Sequence, residues 1–328
     1  MLLTFKIYIK RQFRIIHLVN PSDTLVLVCL FYKLLGYKFV YERSESSPER
    51  YQREHVINPN KAALAILKWL ERLAIKHAHL IIVPDYKDKH ELIRNLKAKK
   101  EKIVTIEPLP DLKDFYQPAI NWNYKRGFPY MAFYSGSLKI ERGLVRLLDA
   151  VSFIVNSLGR KDILFIFAGT GRDMSNLVCY AERKGISKNV HFAGWLNQEK
   201  LLGHLAVADI GLAPEPLKRS TSLFRDSILE CMALGKPVVS FNTITNRRKI
   251  GKAGVFVNEY NKEAFARQII RLIDNKDRSR AMGEMGRMRV ERDLNWLRSE
   301  LKLLGAYEDL FRKKPLMGSN RLVERPAV

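Results

Sequence analysis

Short apolar runs alternate with segments of helical spacing along most of the 328 residues. In the first third of the chain the runs predict strands at 13–19, 38–42, 79–83 and 102–106. Apolar residues recur at helical spacing between them, which predicts helices at 24–35, 61–77 and 87–96. The segment 43–50 (RSESSPER) is polar and predicts a loop.

A second alternating series begins at Tyr130. Its predicted strands are YMAFYSG, ILFIFAG, VHFAG, IGLAP, KPVVSF and GVFV, and helices of ordinary length separate most of them. The last helices are predicted at 262–274 and 292–312. Strands that alternate with helices form parallel sheets with helices on both faces. The fold class predicted is therefore α/β, with two doubly wound, Rossmann-like domains.

The proline-containing stretch after the fourth strand predicts a change of domain. We expect a first domain at 1–118, a linker at 119–129, a second domain at 130–313 and a disordered tail at 314–328. The first strand lies within the first twenty residues. A complete βαβ unit needs roughly 30 residues or more, so we expect the first domain to be incomplete, either as a fragment or as a reduced form.

Composition narrows the classes of partner. The formal net charge is +23, which suits nucleic acid, an anionic membrane or a phosphorylated ligand. No recognition motif with interleaved aromatics accompanies the charge, so nucleic acid ranks last. The three cysteines are scattered in apolar patterns and predict a reducing compartment. We expect no signal peptide, no membrane span and no metal site.

Ligands of open α/β sheets bind beyond the carboxyl ends of the strands. In the second domain the loop 136–143 stands in such a place, is bounded by glycines and carries Lys139 and Arg142. Backbone N–H groups and cations in one loop can cradle a diphosphate. The loops 169–173, 192–196, 214–216 and 235–237 follow the next strands. Each of these loops alone would also suit an ordinary turn with surface charge.

The segment 222–240 (SLFRDSILECMALGKPVVS) predicts a helix that Gly235 ends, followed by a buried strand. Glu230 lies away from the apolar stripe of this helix, where it could meet a ligand. An ordinary amphipathic helix leading into a strand would give the same local pattern, so the interpretation depends on the neighbouring loops.

These segments in this order resemble the GT-B glycosyltransferases, in particular the retaining family known as glycosyl transferases group 1. ADIGLAP followed by ILECMALGKPVVSF carries most of the resemblance. IIHLVNPSD, HAHLIIVP and PLPDLKDFYQP agree with the acceptor-side domain of that family. The resemblance implies transfer of a sugar from a nucleoside diphosphate donor with retention, without a metal or other cofactor.

The resemblance also assigns donor-binding residues. Glu230 matches the glutamate that holds the donor ribose, Arg142 takes the place of a lysine on the diphosphate, and Gly194 lies in the turn near the base. The remaining predicted donor-binding positions are Gly136, Ser137, Lys139, Gly171, Ser222 and Leu223. No catalytic residue is predicted.

Three positions depart from the family pattern. Ser222 stands for a glutamate that usually contacts the donor sugar, Ser137 for an arginine, and Val19 for an active-site histidine. His17, two residues earlier, is predicted to be a packed strand residue. The departures keep two functions open: a glycosyltransferase, or an impaired nucleotide-sugar-binding remnant or partner subunit.

The expected partners follow from these two functions. They are a nucleotide-sugar donor, a saccharide or lipid-linked acceptor in glycan, lipopolysaccharide or glycolipid synthesis, and a protein that completes the first domain. The charge adds an anionic membrane surface, with Lys97, Lys99 and Lys100 as one patch. The expected location is the cytoplasm, peripheral at the inner membrane face.

Overall fold

A computed structural model describes residues 13–21, 23–55, 60–115, 118–214, 227–258 and 261–312. Two compact units make up the chain. The first unit comprises 1–107 with 299–328, and the second comprises 108–298. The predicted tail at 314–328 and the predicted site residues Ser222 and Leu223 lie outside the described residues.

The first unit is a four-stranded parallel sheet in the order β1-β2-β3-β4. Its strands are β1 (Ile15–Val19), β2 (Lys38–Glu42), β3 (Leu80–Val83) and β4 (Ile103–Thr105). Its helices are α1 (Val26–Leu34), α2 (Ser47–Glu54), α3 (Lys61–His77) and α4 (Tyr86–Asn95). The four predicted strands are thus confirmed with slightly shorter ends, and α3 has the predicted bounds.

Helices α1, α3 and α4 pack on one face of this sheet, because the core there joins Val26, Cys29 and Ala74 to Phe39 and Ile81. The other face is covered by a helix from the end of the chain. Apolar residues of this helix (Leu303, Ala306, Tyr307, Leu310) pack on Val40, Leu80 and Ile82.

The second unit has a six-stranded sheet in the order β10-β9-β8-β5-β6-β7, and every described pair is parallel. Its strands are β5 (Tyr130–Ser135), β6 (Ile163–Ala168), β7 (Val190–Gly194), β8 (Ile210–Ala213), β9 (Val238–Phe241) and β10 (Gly254–Val257). All six are the predicted strands. Together with the first sheet they confirm the predicted α/β class with two parallel sheets.

The helices after β4, in chain order, are α5 (Leu144–Ser152), α6 (Met174–Arg183), α7 (Gln198–Val207), α8 (Ser227–Ala233), α9 (Ile244–Ile250), α10 (Lys262–Asp274), α11 (Lys276–Asp293) and α12 (Trp296–Asp309). The last of these, α12, carries the residues that cover the first sheet.

The strand order of the second sheet reverses between β5 and β8. The chain leaves β5 toward β6 and β7, then returns to the other side of β5 as β8 and continues to β9 and β10. Such a reversal leaves a crevice at the carboxyl ends of the two central strands, where doubly wound sheets bind their ligands. The loop after β5 and the end of β8 therefore flank the expected crevice.

Two helices differ from the sequence prediction. Helix α2 occupies 47–54, part of which was predicted to be a polar loop. It begins after an extended Ser46 and carries Pro48 in its first turn, where the fixed φ of proline suits a helix start. Helix α11 was not predicted, because its buried residues are Gly283, Gly286 and Val290 rather than an apolar stripe.

The boundary between the units also differs from the predicted 1–118, 119–129 and 130–313. The described contacts place it at Glu107, and residues 299–312 join the first unit. Residues of the predicted linker pack on the second unit instead. The Tyr124 ring stacks on His204 with centroids 3.8 Å apart, and Lys125 Nζ lies 2.8 Å from an Asp209 carboxylate oxygen.

Replacing Gly283 with alanine is expected to lower the free energy of unfolding of the second unit by about 1 to 3 kcal/mol. A Cβ at this position would overlap the carbonyl oxygen of Gly235, in the turn before β9. Chemical denaturation of the two proteins measures the change. Gly305 is the control, since its Cβ would meet nothing within 4 Å. Equal stabilities for Gly283→Ala and Gly305→Ala would contradict the contact.

Candidate functional site

The loop that follows β5 is held against the loop that follows β6 by backbone hydrogen bonds. Leu138 N–H donates to the Thr170 carbonyl over 2.9 Å, and Asp173 N–H donates to the Leu138 carbonyl over 3.3 Å. The Asp173 carboxylate accepts from Ile140 N–H at 3.0 Å. The predicted phosphate loop is therefore fixed at both its middle and its end.

Glycines make this contact between the loops possible. A Cβ at Gly169 would overlap the Gly136 carbonyl oxygen, and one at Gly171 would overlap the Leu138 carbonyl oxygen. Gly169 also has φ +130°, in the region that disfavours other residues. The structure thus explains two predicted site residues, Gly136 and Gly171, as positions where two backbones touch.

The same loop touches the end of β8. Gly143, with φ +77°, lies against the carbonyl of Pro214, the residue after β8, and a Cβ there would overlap that oxygen. Helix α5 begins at the next residue. The loop after β5 and the end of β8 are therefore in direct contact at the strand-order reversal, as a crevice at this point requires.

The cations of the loop lie on this edge of the sheet. Lys139 and Arg142 are half-buried; Lys139 precedes the short 3-10 turn Ile140–Arg142, and Arg142 ends it. Arg172, in the neighbouring loop, is paired with Glu141 and lies 3.7 Å from Asp173. The carbonyl of Ser137 accepts from the Tyr134 hydroxyl at 3.3 Å.

Gly194 lies at the same carboxyl edge of the second sheet, beside the loop that follows β6. It ends β7 with φ +68°, and its carbonyl accepts from Gly169 N–H at 2.7 Å. Trp195 follows and is 73% exposed. The structure thus places Gly136, Ser137, Lys139, Arg142, Gly171 and Gly194 on three adjacent loops at one edge of the second sheet.

Glu230 lies in the first turn of α8 and is only 3% exposed. It lines a cavity of about 240 Å³ with Trp296 and the segment 108–111, together with Asp114. Arg142 is not among the lining residues of this cavity. Residues 215–226, which connect β8 to α8, lie outside the described residues. That Glu230 and Arg142 hold the two ends of one ligand therefore stays a prediction.

Sequence reasoning missed the residues that lock the loops together. They are Asp173, which acts through its carboxylate, and Thr170 and Pro214, which act through their carbonyl groups. The exposure of the Trp195 side chain beside Gly194 was not predicted either. A carbonyl carries no side-chain signal. Of these residues, only Asp173 could have been recognised from the sequence, because it is an acidic residue just before a helix.

The first unit carries a buried charge cluster directly after β2. The Arg43 side chain is completely buried and its three nitrogens contact three carboxylates, those of Glu71, Asp88 and Glu91, at 2.9, 3.1 and 3.0 Å. Burial opposes the Arg43 charge, but the carboxylates raise its pKa. Burial, reinforced by Asp85, raises the pKa of Asp88 to about 6 against the effect of Arg43.

His17 lies on β1, where its side chain is 30% exposed rather than packed as predicted, and it has polar partners. Its Nε2 lies 3.1 Å from a Glu42 carboxylate oxygen, and its Nδ1 lies 2.7 Å from the Tyr307 hydroxyl on α12. Burial, with Glu42 adding to it, raises the pKa of Tyr307. These contacts attach α12 to the first sheet.

Two further searches cover the described residues alone. Within them, no group of three or more His, Cys, Asp or Glu side chains is placed to hold a metal ion. None of the helices there combines the length and the apolar character needed to cross a membrane.

Two parallel-sheet units, one of them with a ligand crevice at a strand-order reversal, define the GT-B class of fold. Residues 129–275 match the family glycosyl transferases group 1. Over these residues the chain is similar to this family of glycosyltransferases, which confirms the resemblance that the sequence predicted.

Relatives agree with this class. Over 264 residues the chain is 22% identical to alpha-D-kanosaminyltransferase of Streptomyces kanamyceticus, a match that covers 78% of this chain and 66% of that protein. It is 26% identical over 255 residues to D-inositol 3-phosphate glycosyltransferase of Corynebacterium jeikeium, covering 73% and 59%. The chain therefore spans less than two thirds of these relatives.

A solved structure shows the same fold. HepE of Anabaena in complex with UDP superposes with a TM-score of 0.70 at 16% identity, covering 94% of this chain and 82% of that one. The same protein has also been solved with UDP-glucose.

Proposed function

We propose that this protein transfers a sugar from a nucleoside diphosphate sugar to a saccharide or lipid-linked acceptor, with retention of the anomeric configuration. The observation that carries the proposal is the direct contact between the loop 136–143 and the end of β8 at the strand-order reversal. The family match and the fold shared with UDP-bound HepE support it.

The chemistry required is stabilisation of a departing nucleoside diphosphate. Negative charge grows on the diphosphate as the glycosidic bond breaks. Arg142, Lys139 and the N-terminus of α5 lie at one edge, so they would meet that charge without rearrangement. Since the hydrogen bonds to Thr170 and Asp173 already fix the loop, its donors are preorganised.

The two ends of the nucleoside have proposed partners as well. Glu230 would accept hydrogen bonds from ribose hydroxyls, because it lines a cavity and lies in the helix that follows β8 in the chain. The turn at Gly194 would contact the base, and the exposed ring of Trp195 beside it offers a surface for stacking.

A binding-only protein is the second candidate. It is favoured by Ser137 and Ser222, which stand where the family carries an arginine and a glutamate that contact the donor. Donor binding without any release of nucleoside diphosphate in the presence of saccharide acceptors would identify it. Steady release of nucleoside diphosphate would exclude it.

The first test is titration calorimetry of the full chain with UDP and with GDP. We expect one of them to bind, and Arg142→Gln to weaken that binding about tenfold to a hundredfold, because a hydrogen bond to a charged group contributes about 1.5 to 3 kcal/mol. Lys188→Gln is the control, since Lys188 precedes β7 and so lies at the amino end of the sheet. Folded protein that binds no nucleoside diphosphate would refute the proposal.

Glycan, lipopolysaccharide or glycolipid synthesis is the proposed context, and a position at the inner membrane face is part of it. The support is the charge of +23, which attracts the chain to anionic lipid. A protein partner for the first unit remains part of the second candidate.

A further inference from the structure

The outward side of α1 is apolar. Leu27, Phe31 and Leu34 are 53%, 39% and 87% exposed and recur at positions i, i+4 and i+7, so they share one face of the helix. The residues facing the core, Val26 and Cys29 among them, lie on the opposite face. A helix that is apolar on both sides needs a second apolar environment besides its own core.

Helix α3 extends this surface. It packs beside α1 on the same face of the first sheet, and Lys33 of α1 donates to the carbonyl of His77 at the end of α3 over 2.8 Å. Ile66 and Trp69 are 56% and 54% exposed on α3. We call Leu27, Phe31, Leu34, Ile66 and Trp69, with the exposed cations of α3, the α1–α3 surface.

The exposed charges of this surface have one sign. The exposed charged residues of α3 are Lys61, Lys68, Arg72 and Lys76. In these two fully described helices the one acidic residue is Glu71, which is buried and paired with Arg43. Other cations lie near the end of α3, where burial and then Lys33, Lys38 and Lys102 lower the pKa of His79 to about 4.

We propose that the α1–α3 surface binds the interface of an anionic lipid bilayer. Apolar side chains that project fully, a tryptophan and a surround of lysine and arginine without exposed carboxylates are the features of interfacial helices. The leucines and Phe31 would enter the acyl boundary, Trp69 would lie at headgroup depth, and the cations would meet lipid phosphates.

An anionic bilayer fits the α1–α3 surface better than a second copy of this chain or a nucleic acid does. A second copy of this chain would bring the same cations face to face, at a cost from repulsion. Nucleic acid would meet the charges but leave three projecting aliphatic and aromatic groups of α1 without apolar contact. The surface lies wholly in the first unit, so the proposal does not depend on sugar transfer at the second.

The test is flotation of the full chain with phosphatidylcholine vesicles, with and without phosphatidylglycerol. We expect binding to the anionic vesicles, weakened by salt. Leu34→Ser and Trp69→Ser should each reduce the partition coefficient about tenfold, because each removes a large apolar group from the lipid. Lys68→Gln with Arg72→Gln should reduce it about thirtyfold, at about 1 kcal/mol for each charge.

Two controls isolate the surface. Leu158→Ser changes an exposed leucine of the second unit and should bind like the parent. Lys97→Gln with Lys99→Gln and Lys100→Gln removes the patch that the sequence suggested for the membrane, and this variant should bind more tightly than Lys68→Gln with Arg72→Gln. The proposal is overturned if the parent does not float with anionic vesicles. It is equally overturned if Leu34→Ser and Trp69→Ser bind unchanged, or if they abolish a dimer seen by sedimentation while vesicle binding persists.

Nucleoside diphosphate binding measured on the same variants separates the two proposals. Leu34→Ser and Trp69→Ser should bind UDP or GDP as the parent does. Loss of lipid binding with intact nucleotide binding supports the surface alone, whereas Arg142→Gln should show the reverse pattern.

Discussion

Replacing Arg43 with methionine is expected to lower the free energy of unfolding of the first unit by about 3 to 5 kcal/mol. The guanidinium is completely buried and is the shared partner of Glu71, Asp88 and Glu91. Removing it leaves carboxylates from α3 and α4 facing each other in a poorly solvated place. Hydrogen exchange of the β2 and β3 amides in denaturant measures the loss within this unit.

The control for Arg43 is Arg50→Met. The Arg50 side chain is 40% exposed and pairs with Glu54 at 2.9 Å and Glu45 at 3.5 Å, so its removal should cost about 0 to 1 kcal/mol. Similar losses for the two variants would contradict a special role of burial.

The charge cluster around Arg43 also predicts how the free energy of unfolding changes with pH. The folded pKa of Asp88, about 6, lies above its ordinary value of 3.8. Between pH 3.8 and about 6 the folded state therefore holds a proton that the unfolded state has released. The contribution of Asp88 to the free energy of unfolding is complete below pH 3.8 and is lost as the pH rises through about 6. Asp88→Asn should flatten this decline and leave the variant more stable than the parent above pH 7. A parent stability that rises across this range would contradict the assignment.

Replacing Gly169 with alanine is expected to abolish nucleoside diphosphate binding and to cost about 2 to 5 kcal/mol of stability in the second unit. The added Cβ would overlap the Gly136 carbonyl and push the loop 136–143 off the end of β6, and φ +130° would add strain. Calorimetry with UDP or GDP measures the loss of binding, and chemical denaturation measures the change in the free energy of unfolding.

Gly159→Ala separates strain from overlap. Gly159 has φ +68°, but a Cβ there meets nothing within 4 Å, and it precedes β6 at the amino end of the sheet. It should lose about 1 kcal/mol and bind nucleotide normally. If Gly159→Ala impaired binding as much as Gly169→Ala, the contact between the loops would not be the cause.

The sequence predicted the second unit nearly strand by strand, because each of its strands is a continuous apolar run between turn residues. It also predicted that Gly136, Arg142, Gly171 and Gly194 share one edge, since carboxyl ends of parallel strands meet there. It could not predict the adjacency of β5 and β8, which depends on strand order, nor the contact of Gly143 with Pro214, which depends on backbone atoms.

Failures in the first unit have different causes. Arg43 was assigned to a polar loop, because nothing local indicates that its partners lie on α3 and α4. In the second unit, helix α11 was missed because it lacks an apolar stripe and packs through Gly283, so the sequence shows no helical period there. The exposed leucines of α1 were included in an ordinary helix, since the sequence does not tell which apolar side has a neighbour.

Because β8 lies beside β5 but follows it only after two intervening strands and their helices, the halves of the proposed nucleotide crevice are made at different times during synthesis. A ribosome-bound chain that ends before β8 holds a phosphate loop with nothing to face it. Ligand binding thus becomes possible only after this distant pairing, and once it occurs the nucleotide links the early and late halves of the unit and makes their separation harder.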